Sequence, residues 1–81
     1  MNNRNNATVA SVRRSLASGE VRRLRQAAHL AARPLAQAYG FDSHQWLDWE
    51  RGVRTPHSST CLRIARAIRA LRKLAAAGAG T

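Results

Sequence analysis

Negative charge is scarce in this sequence. Glu20, Asp42, Asp48 and Glu50 are its only carboxylates, against fourteen Lys and Arg, thirteen of them arginine, and the formal charge is +10. Acid–base catalysis and metal binding need several such groups at workable spacing. No Cys–His set accompanies these four, and His29 has no ligand partner near it, so the sequence predicts no catalytic residues, no metal and no cofactor. Ser43 and His44 are adjacent, which on a helix turns a would-be nucleophile and base away from each other. Cysteine is nearly absent too. Cys61 stands alone, so no disulfide forms within the chain, and beside Leu62 and Ala65 it reads as a small core residue. No apolar run approaches the roughly 20 residues of a membrane span. The polar N-terminus lacks the apolar stretch of a secretion signal, which predicts a cytoplasmic address. Strand-like alternation and internal repeats are also missing, which leaves an all-α reading.

The chain of 81 residues is short. A folded part of about 60 residues buries only about 60% of its unfolded surface, too little for a deep substrate cavity beside a core, which argues against an enzyme. The cationic excess instead points to a polyanion, either nucleic acid or an anionic membrane surface. Trp46 and Trp49 lie inside a helical motif and not on an exposed apolar stripe, which selects nucleic acid.

Residues 1–7 are polar and asparagine-rich, a composition that predicts a disordered tail. From Thr8 as cap, Val9, Val12 and Leu16 mark a short helix that stops at Ser18-Gly19. Arg13 and Arg14 on it read either as a solvated basic face or as phosphate contacts. A second helix follows from Gly19 or Glu20 to His29, with Val21, Leu24 and Ala28 inward and Arg25 nearest the buried side. His29 stands where a helix prefers glycine to end. A third runs from about Ala32 to Tyr39 with Pro34 in its first turn, where a missing N–H costs nothing. Gly40 then supplies a positive-φ stop and Asp42 a new N-cap, with Gln45 three residues on to reach back and close a capping box.

The fourth helix, Asp42 to Arg51, ends at Gly52. By helical neighbourhood Trp46, Trp49 and Glu50 share the packed side, while Ser43, His44, Leu47, Asp48 and Arg51 share the other. A loop through Pro56 leads to a last helix, about Ser59 to Ala76, with Cys61, Ile64, Ala65, Ile68, Leu71 and Ala75 as its apolar stripe. Its end, around Leu71, Leu74 and Ala75, is expected to overhang the core, either as a surface for a second copy or as a fraying terminus. Residues 77–81 read as a disordered tail, so the expected domain spans 8–76.

Two short helices joined by a tight glycine-containing corner form a helix-turn-helix, whose second helix suits a DNA major groove. With Leu24-Arg25, Leu35-Ala36, Gly40, Trp46, Trp49-Glu50-Arg51-Gly52, Pro56, Leu62, Ile64-Ala65 and Ile68 in place, the stretch from about Glu20 to Leu71 resembles the Cro/C1-type helix-turn-helix family of phage repressors and bacterial regulators. The resemblance implies a lambda-repressor-like bundle of four to five helices and an ion pair between Arg25 and Glu50. It also implies base contacts from Ser43, His44 and Asp48, with Gln45 and Leu47 beside them, and phosphate contacts from Arg33, Arg51 and Arg54. The Ser/Thr-Gln pair that commonly opens the family's second helix is replaced by Ala31-Ala32, and the glycine usual at His29 is absent. The implied function is a sequence-specific double-stranded DNA-binding transcriptional regulator that occupies an operator; a homodimer through the C-terminal helix is one of the two readings of that helix's apolar end. Two other readings fit the composition: a phage architectural or recombination accessory DNA-binding protein, and an antitoxin-like protein-interaction module.

Overall fold

In a computed structural model, which describes residues 3–79, the chain is all-helical: α1 (Asn3–Ala17), α2 (Glu20–Ala27), α3 (Ala32–Ala38), α4 (Ser43–Arg51) and α5 (Ser58–Ala79), with no strand among the described residues. The all-α bundle expected from the periodicities is therefore present. One core unites all five helices: Val9, Val12 and Leu16 of α1, Val21 of α2, Ala32, Leu35 and Ala36 of α3, Trp46 and Trp49 of α4, and Cys61, Ile64, Ala67, Ile68 and Leu71 of α5, with Phe41 from the corner between α3 and α4. Burial pushes the Cys61 thiol pKa up from its usual value, since the thiolate is disfavoured away from water.

Four expectations at the ends need correction. Residues 3–7 are helical, because α1 starts well before Thr8. Thr8 is not a cap; its hydroxyl donates to the Arg4 carbonyl one turn back, at 3.0 Å. The polar tail composition was misleading because the apolar face of α1, once packed on α5, supports the turns that precede it. At the other end α5 continues through residues 77–79, and Leu71 is fully buried where an overhang was expected. The C-terminal half of α5 lies along α2, with Arg72 bonded to Glu20 at 2.9 Å and Gly78 facing the Ala27 carbonyl. Leu74 alone of that end is a large exposed apolar residue, at 50%. The parts of the two expected tails at 1–2 and 80–81 lie outside the described residues.

Helices α2, α3 and α4 end in the same way. A residue of positive φ closes each: His29 (57°) and Gly40 (78°), one position past the caps Ala28 and Tyr39, and Gly52 (76°), itself the cap of α4. In each case the amide of the next residue returns to a carbonyl five residues back: Leu30 to Arg25 (3.0 Å), Phe41 to Ala36 (2.8 Å) and Val53 to Asp48 (2.9 Å). This double-bonded C-terminal cap also swings Leu30 and Phe41 back onto the core. Glycine takes the left-handed position without strain, whereas histidine pays about 1 kcal/mol for it. Replacing His29 by glycine is therefore expected to raise the unfolding free energy by about 1 kcal/mol. Urea unfolding of the two proteins checks this, and a destabilised H29G would contradict it.

Candidate nucleic-acid interface

The α3–turn–α4 unit is fixed from both ends. Asp42 has extended backbone, and its carboxylate accepts from the amides of His44 (3.0 Å) and Gln45 (3.3 Å), which starts α4 cleanly. The reciprocal half of the expected capping box is missing: Gln45 is exposed and its side chain does not return to Asp42. At the corner, Arg63 of α5 closes the end of α3, donating from Nη2 to the Tyr39 carbonyl at 2.8 Å while its guanidinium lies 4.4 Å from the centroid of Phe41. Phe41 in turn meets Trp49 edge-on, centroids 5.0 Å apart at 86°, and Trp46 at 6.0 Å. Each such aromatic pair adds about 0.5–1.5 kcal/mol beyond area burial.

Behind α4 sits the ion pair that the sequence resemblance implied. Arg25 donates from Nε and Nη2 to the two carboxylate oxygens of Glu50, both at 2.9 Å, and from Nη1 to the Leu30 carbonyl at 3.1 Å. Trp46 Nε1 adds a 2.6 Å bond to the same carboxylate. The Glu50 side chain is 2% exposed and that of Arg25 12%. The fork-shaped contact holds the Arg25 pKa above its ordinary value, the hydrogen bonds to Glu50 being the main cause. One carboxylate thus joins α2 to α4 and satisfies the buried indole, fixing the rotation of α4 about its own axis.

That rotation decides what α4 presents. Trp46 and Trp49 are 0% and 4% exposed. His44, Asp48 and Arg51 follow at i, i+4 and i+7 down the outer side, with Gln45 on one flank and Leu47 on the other. His44, Gln45 and Arg51 are exposed and Ser43 is half-buried at the first position of the helix. Leu47 departs from its expected place. It is half-buried and packs against the core, beside Arg22, Arg25, Glu50 and Arg51 in a shallow depression, because its direction falls between the inner and outer sides. Asp48 is already engaged: its carboxylate lies 3.6 Å from Arg54 Nε. Arg33, in the first turn of α3, is exposed with no protein partner among the described residues, and Arg54 is 74% exposed.

Sequence reasoning missed several of these parts. Arg63 is separated by 24 residues from the carbonyl it caps, and Arg13 by 43 from the Pro56 carbonyl it holds at 2.9 Å, so no local pattern announces either. Arg13 ties α1 to the loop that follows α4, a structural role neither of the two sequence readings assigned to it. Arg22, an arginine of α2 to which the sequence pattern assigned no role, shares a depression with Arg51.

Charge is distributed unequally. Glu50 is sealed behind α4, Glu20 is held by Arg72 and by the Ser15 hydroxyl at 3.0 Å, Asp42 caps amides and Asp48 faces Arg54. Arg72 first and Ser15 second lower the Glu20 pKa. All four carboxylates therefore have internal partners, while Arg14, Arg22, Arg33, Arg51, Arg66, Arg69 and Lys73 have no carboxylate partner among the described residues. No group of three or more potential metal ligands occurs among the described residues, and no helix there is long and apolar enough to cross a membrane. In comparisons with protein-family models, curated proteins and solved structures, nothing matches this chain.

Proposed function

We propose that this chain is a helix-turn-helix protein of the Cro/C1 type that binds double-stranded DNA with sequence preference and regulates transcription by occupying its site. The observation that carries the reading is the braced rod α4. Its tryptophans and Glu50 are locked inward, His44 and Arg51 on its outer line face solvent with Gln45 alongside and the half-buried Asp48 between them, and the surrounding negative charge is internally satisfied. An α-helix of this kind is 10–12 Å across with side chains, close to the 12 Å width of the major groove.

Within that pose the side chains divide by chemistry. His44 and Ser43 donate to or accept from purine edges, Gln45 reads adenine, and Arg51 reaches guanine or phosphate. Leu47, half-buried, offers an edge to a thymine methyl. Asp48 accepts from cytosine N4 with the carboxylate oxygen that Arg54 leaves free. Arg33 and Arg54 hold phosphates and carry no sequence information.

Paired substitutions test the division. With a site selected from a random duplex pool, His44→Ala is expected to lose about 1–3 kcal/mol of discrimination against the wrong base at one position while nonspecific affinity stays within a few-fold. Arg33→Ala is expected to weaken all duplexes alike and to reduce the salt slope by about 1. Indistinguishable behaviour of the two variants, measured by fluorescence anisotropy, would show that α4 does not read bases.

A further inference from the structure

The proposed interface leaves part of the cationic excess unused. Helix α5 carries Arg63, Arg66, Arg69, Arg72 and Lys73 and not one acidic residue. Arg63 and Arg72 have internal work, at the α3 corner and on Glu20. Arg66, Arg69 and Lys73 do not: all three are exposed, and none has a hydrogen bond or ion pair among the described residues. They follow at i, i+3 and i+7, a single stripe about 10 Å long on the side of α5 opposite Cys61, Ile64, Ile68 and Leu71. Like charges at these spacings repel and weaken the helix, and a polyanion relieves the repulsion.

Geometry separates this stripe from α4. Both helices bury their apolar sides in the same core, so each outward face points away from that core and the stripe is a surface of its own. Its chemistry favours phosphate over protein. Protein interfaces are anchored by large apolar or aromatic side chains, and the exposed ones here, Val53 and Leu74, lie elsewhere, Leu74 roughly 100° around the helix from the stripe. Two exposed arginines and a lysine with no large exposed apolar side chain among them are what phosphate contact requires, since duplex DNA presents one charge per about 1.7 Å of its axis. We propose that the outer face of α5 is a second duplex-binding surface, on which Arg66, Arg69 and Lys73 hold the phosphates of a separate DNA segment, so that one chain bridges two duplexes. The inference rests on α4 being the first duplex site.

The test uses one duplex on beads and a second, fluorescent duplex in solution, with protein limiting. The wild-type chain is expected to retain the fluorescent duplex on the beads. The R66Q/R69Q/K73Q variant is expected to retain it at least tenfold less, while its affinity for a single duplex, measured by anisotropy, stays within about threefold. Glutamine has nearly the helix propensity of the residues it replaces, and sedimentation of both proteins, expected to be identical, separates loss of the stripe from loss of self-association. Undiminished retention by the triple variant would assign bridging to paired copies and overturn the proposal. So would absence of retention by a wild type that binds single duplexes well, or a triple variant that loses binding to fluorescent poly-glutamate while bridging is unchanged, which would give the stripe to an acidic protein. A chain that binds no duplex at all would instead remove the α4 reading beneath it.

Discussion

Glu50→Ala is expected to lower the unfolding free energy by about 3–5 kcal/mol, the usual result of removing one member of a buried ion pair. The loss is large because two groups depend on that carboxylate. The Arg25 guanidinium, 12% exposed, would keep only its bond to the Leu30 carbonyl, and the indole N–H of the fully buried Trp46 would have no acceptor. In a chain this small such a loss is a large part of a total stability on the order of 5–15 kcal/mol. Asp48→Ala supplies the control two residues away: its pair with Arg54 is 3.6 Å long and largely solvated, and contacts of that kind contribute about 0–1 kcal/mol. Thermal or urea unfolding of the two variants is the measurement, and equal midpoints would refute the bracing role. Arg25→Leu combined with Glu50→Leu is expected to recover much of the loss, because replacing a buried pair outright avoids leaving one charge unpaired. The indole would still lack its acceptor, so recovery should be incomplete.

Duplex affinity is expected to fall roughly a thousandfold between 50 and 200 mM monovalent salt if about six phosphates are neutralised, from a log–log slope near −5. Arg22, Arg33, Arg51 and Arg54 around α4 supply the larger part of that number. The slope separates the proposed function from a protein-interaction role, since a chain whose partner is a polypeptide would bind duplex weakly at every salt concentration. A change of less than about tenfold over this range would mean that the cations around α4 do not meet phosphate.

The legible and illegible parts of the structure divide along a physical line. Short-range signals held. Gly40 and Gly52 take positive φ as their positions predicted, His29 does the same at a cost, Asp42 caps α4, and Pro34 sits in the first turn of α3. The inward side of α4 held as well, because helical spacing assigns Trp46, Trp49 and Glu50 without knowledge of what they meet. The ends of the chain are less legible. Residues 3–7 are polar and asparagine-rich and 77–79 fall in the expected tail, yet α1 and α5 extend through them. Leu47 and Asp48 were both placed on the presented side; one rests partly on the core and the other is tied to Arg54. Spacing fixes a direction around a helix but not how far a neighbouring helix or loop encroaches on it.

Sequence by itself determined the number and order of the helices, the tight corner before α4, the inward set of apolar residues and the cationic excess. Each of these follows from rules that act within one or two helical turns, or from simple counting. Only the tertiary structure decided that Arg63 closes the corner from 24 residues away, that Arg13 anchors the loop after α4, that all four carboxylates are satisfied internally, and that Arg66, Arg69 and Lys73 are left facing solvent. An arginine side chain is long and its partners are carbonyls and carboxylates that occur throughout any chain. Which arginine finds a partner and which remains for a ligand is therefore set by how the helices pack, and the order of residues along any one helix does not contain that information.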